Sequence, residues 1–430
     1  MRKISTYSIQ LMLLLGSCSP FSVATKQPVT LSAQIITHTP VVISTPLPIA
    51  TPTIAPAVIP SKDGSVRFDG LDMVDETSGW SWGNSGNNNS LLLHTSDGGQ
   101  TWMDATPKGE SMPVIPPHSS YFLDAQTAWV IRADESLAQT SDGGKTWEVI
   151  NQNLKAELTW PHRDWYRLHF ADANHGWLVA GYSAAGAHEF YYETRDGGAS
   201  WNPLDFETWP EDLYDVRDYK NELAFWTVID AIYYDSTKFI IAPGEQEGTP
   251  KVFLSTDWGS SWKTIQLLPS EYHEQSFNPF DRKILQPIFF DSQNGILTVS
   301  IWDRTANTVQ LFVYGTSDGG LTWPLTGGPI MIEQGDSEIS FLSVQDAVYF
   351  CGVRFCSTND SGNTWVAHNL GTDIPPKDDH TSLQLDFVNP ATGWLLIRMN
   401  DAQGIWLNSR LLRTTDGGLT WTELSPRINP

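Results

Sequence analysis

One eight-residue turn motif recurs seven times along this chain and constrains the fold more than any other feature. The pattern is Thr/Ser-x-Asp-x-Gly-x-Thr/Ser-Trp, and its first copy runs from Thr95 to Trp102. Successive copies lie between 42 residues apart (Asp318 to Asp360) and 61 residues apart (Asp196 to Asp257). Self-similarity at such a period predicts a repeat architecture with one structural unit per copy. The motif aspartates are Asp97, Asp142, Asp196, Asp257, Asp318, Asp360 and Asp416.

A second motif precedes the first: an apolar stretch, then Asp or Asn, four residues, and a large apolar residue. This pattern is typical of a strand, a tight turn and a second strand. Further runs lead into and out of each Asp motif, so every repeat contains four short strands. The sequence therefore predicts an all-β protein, a seven-bladed β-propeller of four-stranded antiparallel blades over residues 63–427. The upstream copies are Asp75–Trp80, Asp124–Trp129, Asp172–Trp177, Asp291–Ile296, Asn389–Trp394 and the degenerate Ser343–Val348.

Two stretches compete for the upstream turn of the fourth repeat. In the other repeats this turn begins 17 (Ser343 to Asp360) to 27 (Asp291 to Asp318) residues before the motif aspartate. Asp235 lies 22 residues before Asp257, whereas Asp218 lies 39 before it. We therefore assign the turn to 235–240 and interpret residues 203–230 as an insertion between blades three and four.

Local chemistry explains the residues of the Asp motif. We expect the carboxylate to accept hydrogen bonds from backbone N–H groups one and two residues on, and the glycine to adopt a positive φ. The tryptophan buries a large ring against neighbouring strands. These aspartates are therefore predicted to be structural acids. If the motifs link the third and fourth strands, they share one face, and ligand binding is expected on the opposite loop face or in the channel.

Composition excludes one class of partner. The net charge is −23, from 49 acidic and 26 basic residues, with no basic run. Because nucleic acids require a cationic surface, they are not expected as ligands. The histidines show no metal-ligand spacing, and neither a phosphate loop nor a Ser/His/Asp motif occurs. The sequence predicts no metal and no cofactor.

The N-terminus has the features of an exported protein. Arg2 and Lys3 precede a short apolar run, which predicts a signal peptide over residues 1–17. Residues Leu15 to Cys18 resemble a bacterial lipobox, which implies lipid attachment at Cys18; the alternative is an ordinary cleaved signal. Residues 18–62 are rich in Thr and Pro and predict a disordered tether. The expected location is the bacterial cell surface or the extracytoplasmic face of the membrane.

The seven motifs resemble those of Asp-box propellers, also called bacterial-neuraminidase-repeat propellers, over nearly all of residues 66–425. That group includes sialidases, glucanases, sortilin-type receptors and photosystem II assembly factors. The alternation of Phe170–Trp177 with Thr194–Trp201 is most similar to the assembly factors. The resemblance implies a seven-bladed, membrane-tethered binding protein. The basic patch associated with the assembly factors has no counterpart in this acidic chain.

Sialidase activity is not expected. The family pattern includes an Arg-Ile-Pro sequence near the start of the domain, whereas Arg67 here is followed by Phe68 and Asp69. We therefore expect a monomeric, non-enzymatic binding or assembly propeller whose ligand is a protein or a polysaccharide. The alternative is a glycoside hydrolase, which needs two carboxylates roughly 5 to 9.5 Å apart; its candidates are Asp164 and Asp379.

Loops rich in aromatic residues supply the candidates for the binding face. The connection that enters blade three combines aromatic side chains with Arg and Asp, which suits stacking on a sugar or gripping a peptide. The alternative is that these aromatics pack on their own blade. The candidates are Trp160, His162, Arg163, Trp165, Trp209, Tyr214, Tyr272 and His380.

Two further expectations concern covalent and topological closure. Cys351 and Cys356 flank a short segment and form a disulfide or remain as two buried thiols. All seven repeats share one register, so we expect blade one to pack on blade seven without an exchanged strand. Terminal residues 63–70 or 422–427 remain an alternative source of an added strand.

Overall fold

The computed structural model describes fifteen stretches of the chain. Their 30 β-strands form seven sheets, which are the blades of a seven-bladed β-propeller, and these stretches also contain one short helix. This confirms the predicted fold class. The signal peptide, Cys18 and the linker lie outside the described residues. The described stretches are 67–84, 90–108, 119–158, 165–182, 188–203, 229–234, 238–243, 250–257, 261–267, 282–303, 308–333, 339–351, 354–368, 381–400 and 406–429.

Blades one to three each contain four consecutive strands. Blade one comprises β1 (Arg67–Met73), β2 (Gly79–Asn84), β3 (Ser90–Thr95) and β4 (Thr101–Asp104). Blade two comprises β5 (Ser120–Phe122), β6 (Ala128–Ile131), β7 (Leu137–Thr140) and β8 (Glu148–Asn151), followed by α1 (Leu154–Glu157). Blade three comprises β9 (Trp165–Phe170), β10 (Gly176–Tyr182), β11 (His188–Thr194) and β12 (Asn202–Pro203).

Blades four and five complete the middle of the ring. Blade four comprises β13 (Ile229–Tyr234), β14 (Phe239–Pro243), β15 (Lys251–Ser255) and β16 (Lys263–Gln266). Tyr234 pairs with Phe239, so the hairpin falls where the 235–240 assignment predicted it. In blade five the first strand is split in two, because both β17 and β18 pair with β19. Its strands are β17 (Arg282–Ile284), β18 (Ile288–Phe289), β19 (Gly295–Asp303), β20 (Thr308–Thr316) and β21 (Leu325–Glu333).

Blades six and seven precede a final short strand. Blade six comprises β22 (Ser340–Phe341), β23 (Ala347–Cys351), β24 (Arg354–Thr358) and β25 (Val366–His368). Blade seven comprises β26 (Thr381–Phe387), β27 (Gly393–Asn400), β28 (Trp406–Thr414) and β29 (Thr422–Glu423), and β30 (Arg427–Asn429) follows. First strands of neighbouring blades contact one another, as β1 does with β26 and β5 with β9, so the first strands are the innermost.

The hydrophobic core lies between blades. One buried cluster joins Trp129 of blade two to Phe170 and Trp201 of blade three, and another joins Phe355 of blade six to Trp421 of blade seven. Trp129 stacks on Phe170 with ring centroids 3.7 Å apart. Because fully burying one large apolar side chain contributes about 1.5–3 kcal/mol, these ring contacts help to hold neighbouring blades together.

The Asp motif is the turn between the third and fourth strands, as predicted, but its hydrogen bonds differ from the expectation. Asp97 accepts the N–H groups of Gln100 and Thr101, three and four residues on, at 3.0 and 2.8 Å. It also accepts the hydroxyls of Thr95 (3.0 Å) and Thr101 (2.6 Å). The expectation of donors one and two residues on was wrong, because two consecutive glycines with positive φ turn the chain back before it meets the carboxylate.

The Asp motif and the upstream turn of a blade are joined by a backbone hydrogen bond. In blade one, the Gly98 N–H donates to the Thr77 carbonyl at 2.7 Å. Equivalent bonds join Gly197 to Asn174 in blade three and Gly417 to Ala391 in blade seven. Both turns therefore occupy one face of the ring, which explains why the two sequence motifs occur together.

The ring closes with a strand from the C-terminus. β30 pairs in parallel with β4, placing Ile428 opposite Trp102 at the outer edge of blade one. The expectation of closure without an added strand was therefore wrong. The alternative, in which a terminal segment adds a strand, is closer to the observed arrangement. A strand that closes the ring is hard to recognise in sequence because it is three residues long and repeats no motif. It also extends two residues past the predicted boundary at 427.

Candidate functional site

Most of the predicted binding residues lie outside the part of the chain that the structure describes. Of the loop-face candidates, only Trp165 is described, and it begins β9. The others remain predictions, as does the carboxylate pair Asp164 and Asp379. The undescribed loop candidates are Trp160, His162, Arg163, Trp209, Tyr214, Tyr272 and His380.

Trp165 has packing contacts that explain its presence. Its ring lies directly over Gly181 of β10, where a Cβ would come within 2.2 Å of the indole. The ring also packs against the buried cluster formed by blades three and four, and the Arg167 guanidinium lies 5.5 Å from its centroid. For this residue the observed contacts match the alternative interpretation, an aromatic that packs on its own blade.

The seven Asp-motif carboxylates share one electrostatic state. Hydrogen bonds from the hydroxyl and N–H of Thr146 lower the pKa of Asp142 to about 2. The pKa values of the other six carboxyls are also lowered. A carboxyl with a lowered pKa is ionised at neutral pH and is a poor proton donor. Within the described residues these aspartates therefore serve their own turns.

An open groove lies between blades six and seven on the face that carries the Asp motifs. Its volume is about 300 Å³, at the lower end of the range of small-ligand pockets. Apolar side chains form its floor and rim: Val348 is buried, whereas Val366 and Leu419 are 58% and 51% exposed. The lining residues are Leu342, Asp346, Val348, Ser357, Thr358, Asn359, Thr364, Val366, His368, Pro390, Asp416, Gly417 and Leu419.

Polar groups line the same groove. The Ser357 hydroxyl and the His368 Nε2 atom are 2.8 Å apart on adjacent strands. Asp346 accepts the Ser343 hydroxyl at 2.7 Å, and Asp416 accepts the Thr420 hydroxyl at 2.6 Å. The described lining therefore contains two carboxylates and neither Lys nor Arg, so it favours a ligand that is neutral or basic.

The groove's floor is held by a disulfide. Cys351 and Cys356 are bonded, with Cα atoms 5.9 Å apart, and they link β23 to β24. The same two strands carry Val348 and Ser357, which are direct cross-strand neighbours. The crosslink restricts relative movement of the strands that form the floor.

Sequence reasoning missed this groove, although one signal pointed to it. Ser343–Val348 is a degenerate upstream motif, and a valine stands where four repeats have tryptophan. Whether the smaller side chain leaves an open space depends on the side chains of the neighbouring blade, which the repeat pattern does not reveal.

Within the described residues, neither a metal-binding cluster nor a membrane-spanning helix is present. No group of three or more His, Cys, Asp or Glu side chains is placed to hold a metal ion. No helix in this part of the chain is long and apolar enough to cross a membrane.

Comparisons with solved structures find distant similarities to proteins of two kinds. YCF48 bound to D1 peptide is 16% identical with a TM-score of 0.45, over 83% of this chain and 99% of that chain. YCF48 from Cyanidioschyzon merolae gives the same identity and TM-score, over 83% of this chain and 97% of that one. A polysaccharide lyase of family PL25, an ulvan lyase bound to -[GlcA(1-4)Rha3S]-, is 10% identical with a TM-score of 0.44, over 82% and 92%. No protein-family model and no curated protein match the chain.

Proposed function

We propose that this protein is a lipid-anchored, extracytoplasmic propeller that binds a protein or polysaccharide ligand and catalyses no reaction on it. The observation that carries the proposal is the groove between blades six and seven, which lies on the Asp-motif face and not on the loop face where ligand binding was expected. It combines an apolar floor and rim with hydrogen-bonding groups, as ligand sites do. The Asp416 carboxylate beside it is occupied by its own turn.

Two further observations support the proposed location. The Cys351–Cys356 disulfide is typical of proteins in oxidising compartments. The acidic surface, with a net charge of −23, suits a soluble domain held away from anionic lipid headgroups by a tether. The lipobox-like sequence at Leu15 to Cys18 supplies the proposed anchor.

The anchor is tested by Cys18→Ser in the full-length chain. Because the thiol is the proposed site of acylation, the variant should move from the membrane fraction to the soluble extracytoplasmic fraction, as followed by immunoblotting. A Cys351→Ser/Cys356→Ser double variant is the matched control, since it also replaces cysteines but leaves Cys18 intact, and it should stay with the membrane. Retention of Cys18→Ser on the membrane would contradict the lipid anchor.

The absence of catalysis is tested with a panel of polysaccharides assayed for new reducing ends. We expect no release above that of heat-treated protein. Release that is lost in Asp164→Asn or Asp379→Asn would instead establish the glycoside hydrolase alternative, because those carboxylates are its proposed acid and base or nucleophile.

A further inference from the structure

The groove lies at a position that other blade junctions fill with an indole. The pairing of the first and second strands defines equivalent positions in different blades: Phe122 pairs with Ala128, Phe387 with Gly393, and Phe341 with Ala347. The next residue faces the following blade in every case. It is Trp129 in blade two and Trp394 in blade seven, but Val348 in blade six.

At two of the junctions that carry a tryptophan, the indole reaches the Asp motif of the next blade; at a third, the Trp80 Nε1–H donates instead to the Asp124 carbonyl of the upstream turn. The Trp129 Nε1–H donates to the Gly197 carbonyl at 2.9 Å, and the Trp394 Nε1–H donates to the Gly98 carbonyl at 3.0 Å. Both acceptors are the first glycine after the motif aspartate. At the junction of blades six and seven that glycine is Gly417, which lines the groove.

The neighbouring strand repeats the same contrast. In blade seven, Trp394 pairs with Arg413, whose guanidinium lies 5.1 Å from the indole centroid. In blade one, Trp80 pairs with His94, whose ring lies 4.6 Å from the indole. Blade six has the small Ser357 at this position, so two adjacent large side chains are replaced by two small ones.

Another junction without tryptophan is filled by other groups. Between blades five and six, Ile296 takes the indole position, and the first motif glycine is replaced by Ser361. The Ser361 hydroxyl donates to the Val344 carbonyl at 2.9 Å, and the Val344 side chain lies beside Gly315. Losing the tryptophan therefore does not by itself open a groove.

We propose that this groove binds the side chain of a tryptophan carried by a partner protein. The indole would lie on Val348 between Val366 and Leu419, with its N–H directed at the Gly417 carbonyl. The inference rests on the proposed binding function and names its ligand class. The carboxylates of Asp346 and Asp416 favour a partner segment with Lys or Arg next to the tryptophan.

The tether is a poor source of this tryptophan. Residues 19–66 contain no Trp and one aromatic of the Phe/Tyr class, Phe21. A partner chain therefore fits the groove better than the protein's own N-terminal segment.

The probe for the experiment is the peptide acetyl-Lys-(5-fluoro-Trp)-Lys-amide, observed by ¹⁹F NMR with full-length protein in detergent micelles. Fluorine detection avoids interference from the protein's 19 tryptophans. We expect line broadening beyond that seen with empty micelles, and a Kd on the order of 1 mM for so small a ligand. Unlabelled Lys-Trp-Lys should displace the probe, and Lys-Ala-Lys should not.

Val348→Trp is the decisive variant, because it supplies in the chain the indole that Trp394 supplies at the next junction. It should weaken probe binding at least tenfold and raise the midpoint of thermal unfolding. Leu419→Ala should weaken binding several-fold. Its matched control is Leu321→Ala, which changes the same motif position in blade five, where the leucine is also exposed, and should leave binding unchanged.

Several outcomes would overturn the inference. They are no broadening by the wild-type protein at millimolar concentration, equal binding by a folded Val348→Trp, or equal effects of the two leucine variants. If Val348→Trp does not fold, the leucine pair alone decides whether the groove binds the probe. These results leave the anchoring and polysaccharide tests untouched, so failure of this inference is distinguishable from failure of the proposed function.

Discussion

The junction between blades seven and one and the junction between blades six and seven are built from equivalent positions and have opposite characters. At the first, Trp394 is fully buried, Arg413 lies over its ring, and β30 adds an extra strand nearby. At the second, Val348 and Ser357 leave a groove. At these two junctions, a difference of two side chains within one repeat accompanies the change from a sealed contact to a groove, while the blades on either side keep their fold.

The sealed junction also has polar contacts at the inner strands. The Gln384 side chain accepts the Leu71 N–H at 3.2 Å and donates to the Leu71 carbonyl at 2.8 Å. The buried Asp386 carboxylate accepts the Met73 N–H. These bonds satisfy backbone groups of β1, the first strand of the propeller, and they join the two ends of the described chain.

The largest expected effect comes from removing the tryptophan that fills the sealed junction between blades seven and one, so that it resembles the open junction between blades six and seven. Trp394→Ala should lower the free energy of unfolding by about 3–5 kcal/mol, because it leaves a cavity and removes the bond to Gly98. Urea denaturation of the wild type and the variant measures the difference. Val348→Ala is the matched control at the open junction, where the loss should be smaller by about half, since fewer atoms are removed. Equal losses would show that the two junctions do not differ as described.

Removal of β30 should have the next largest effect. Deleting residues 427–430 should destabilise the protein by about 2 kcal/mol, because Ile428 is half-buried and the Arg427 N–H donates to the Gln100 carbonyl. The deletion also uncovers the edge of β4, so concentration-dependent self-association is expected. Denaturation and sedimentation measure the two effects, and deletion of Pro430 alone is the control. An unchanged unfolding midpoint would mean that blade packing alone closes the ring.

The smallest expected effect is the difference in stability loss between alanine variants of the two Asp motifs that flank these junctions. Asp97→Ala should cost about 1 kcal/mol, discounted for solvent exposure, and Asp416→Ala should cost less. The difference is expected because the motif of Asp97 also positions the Gly98 carbonyl for Trp394. Paired urea titrations measure it. A larger loss for Asp416→Ala would contradict the ranking.

The same variants have a predictable pH dependence. Partial burial raises the pKa of Asp97. Hydrogen bonds from Thr101 and Thr95 lower this pKa by a larger amount, so the net effect is a lowered pKa. The stabilisation is therefore fully present above the unfolded carboxyl pKa of about 3.9 and is lost as the pH falls through the folded value. The wild type and Asp97→Ala should converge in stability as the pH falls from about 5 towards about 2. A difference that persists at low pH would show that charge is not its cause.

The repeat motif explains how much of the fold could be predicted. Each Asp motif encodes a local turn through hydrogen bonds that span four residues, as between Asp142 and Thr146. Such bonds depend little on distant residues, so blade number, blade register and the blade-four hairpin followed from spacing. The short strand β30 did not, because its partner lies more than 320 residues away (Ile428 opposite Trp102).

By itself, the sequence determined that there would be seven blades and that their aspartates would serve turns, because both depend on neighbours within a few residues. Only the tertiary structure decided how the ring closes and where it stays open. Whether the small side chains of Val348 and Ser357 leave space depends on what blade seven places opposite them. That is a question of packing between segments about 60 residues apart (Ser357 to Gly417), and no local pattern records the answer.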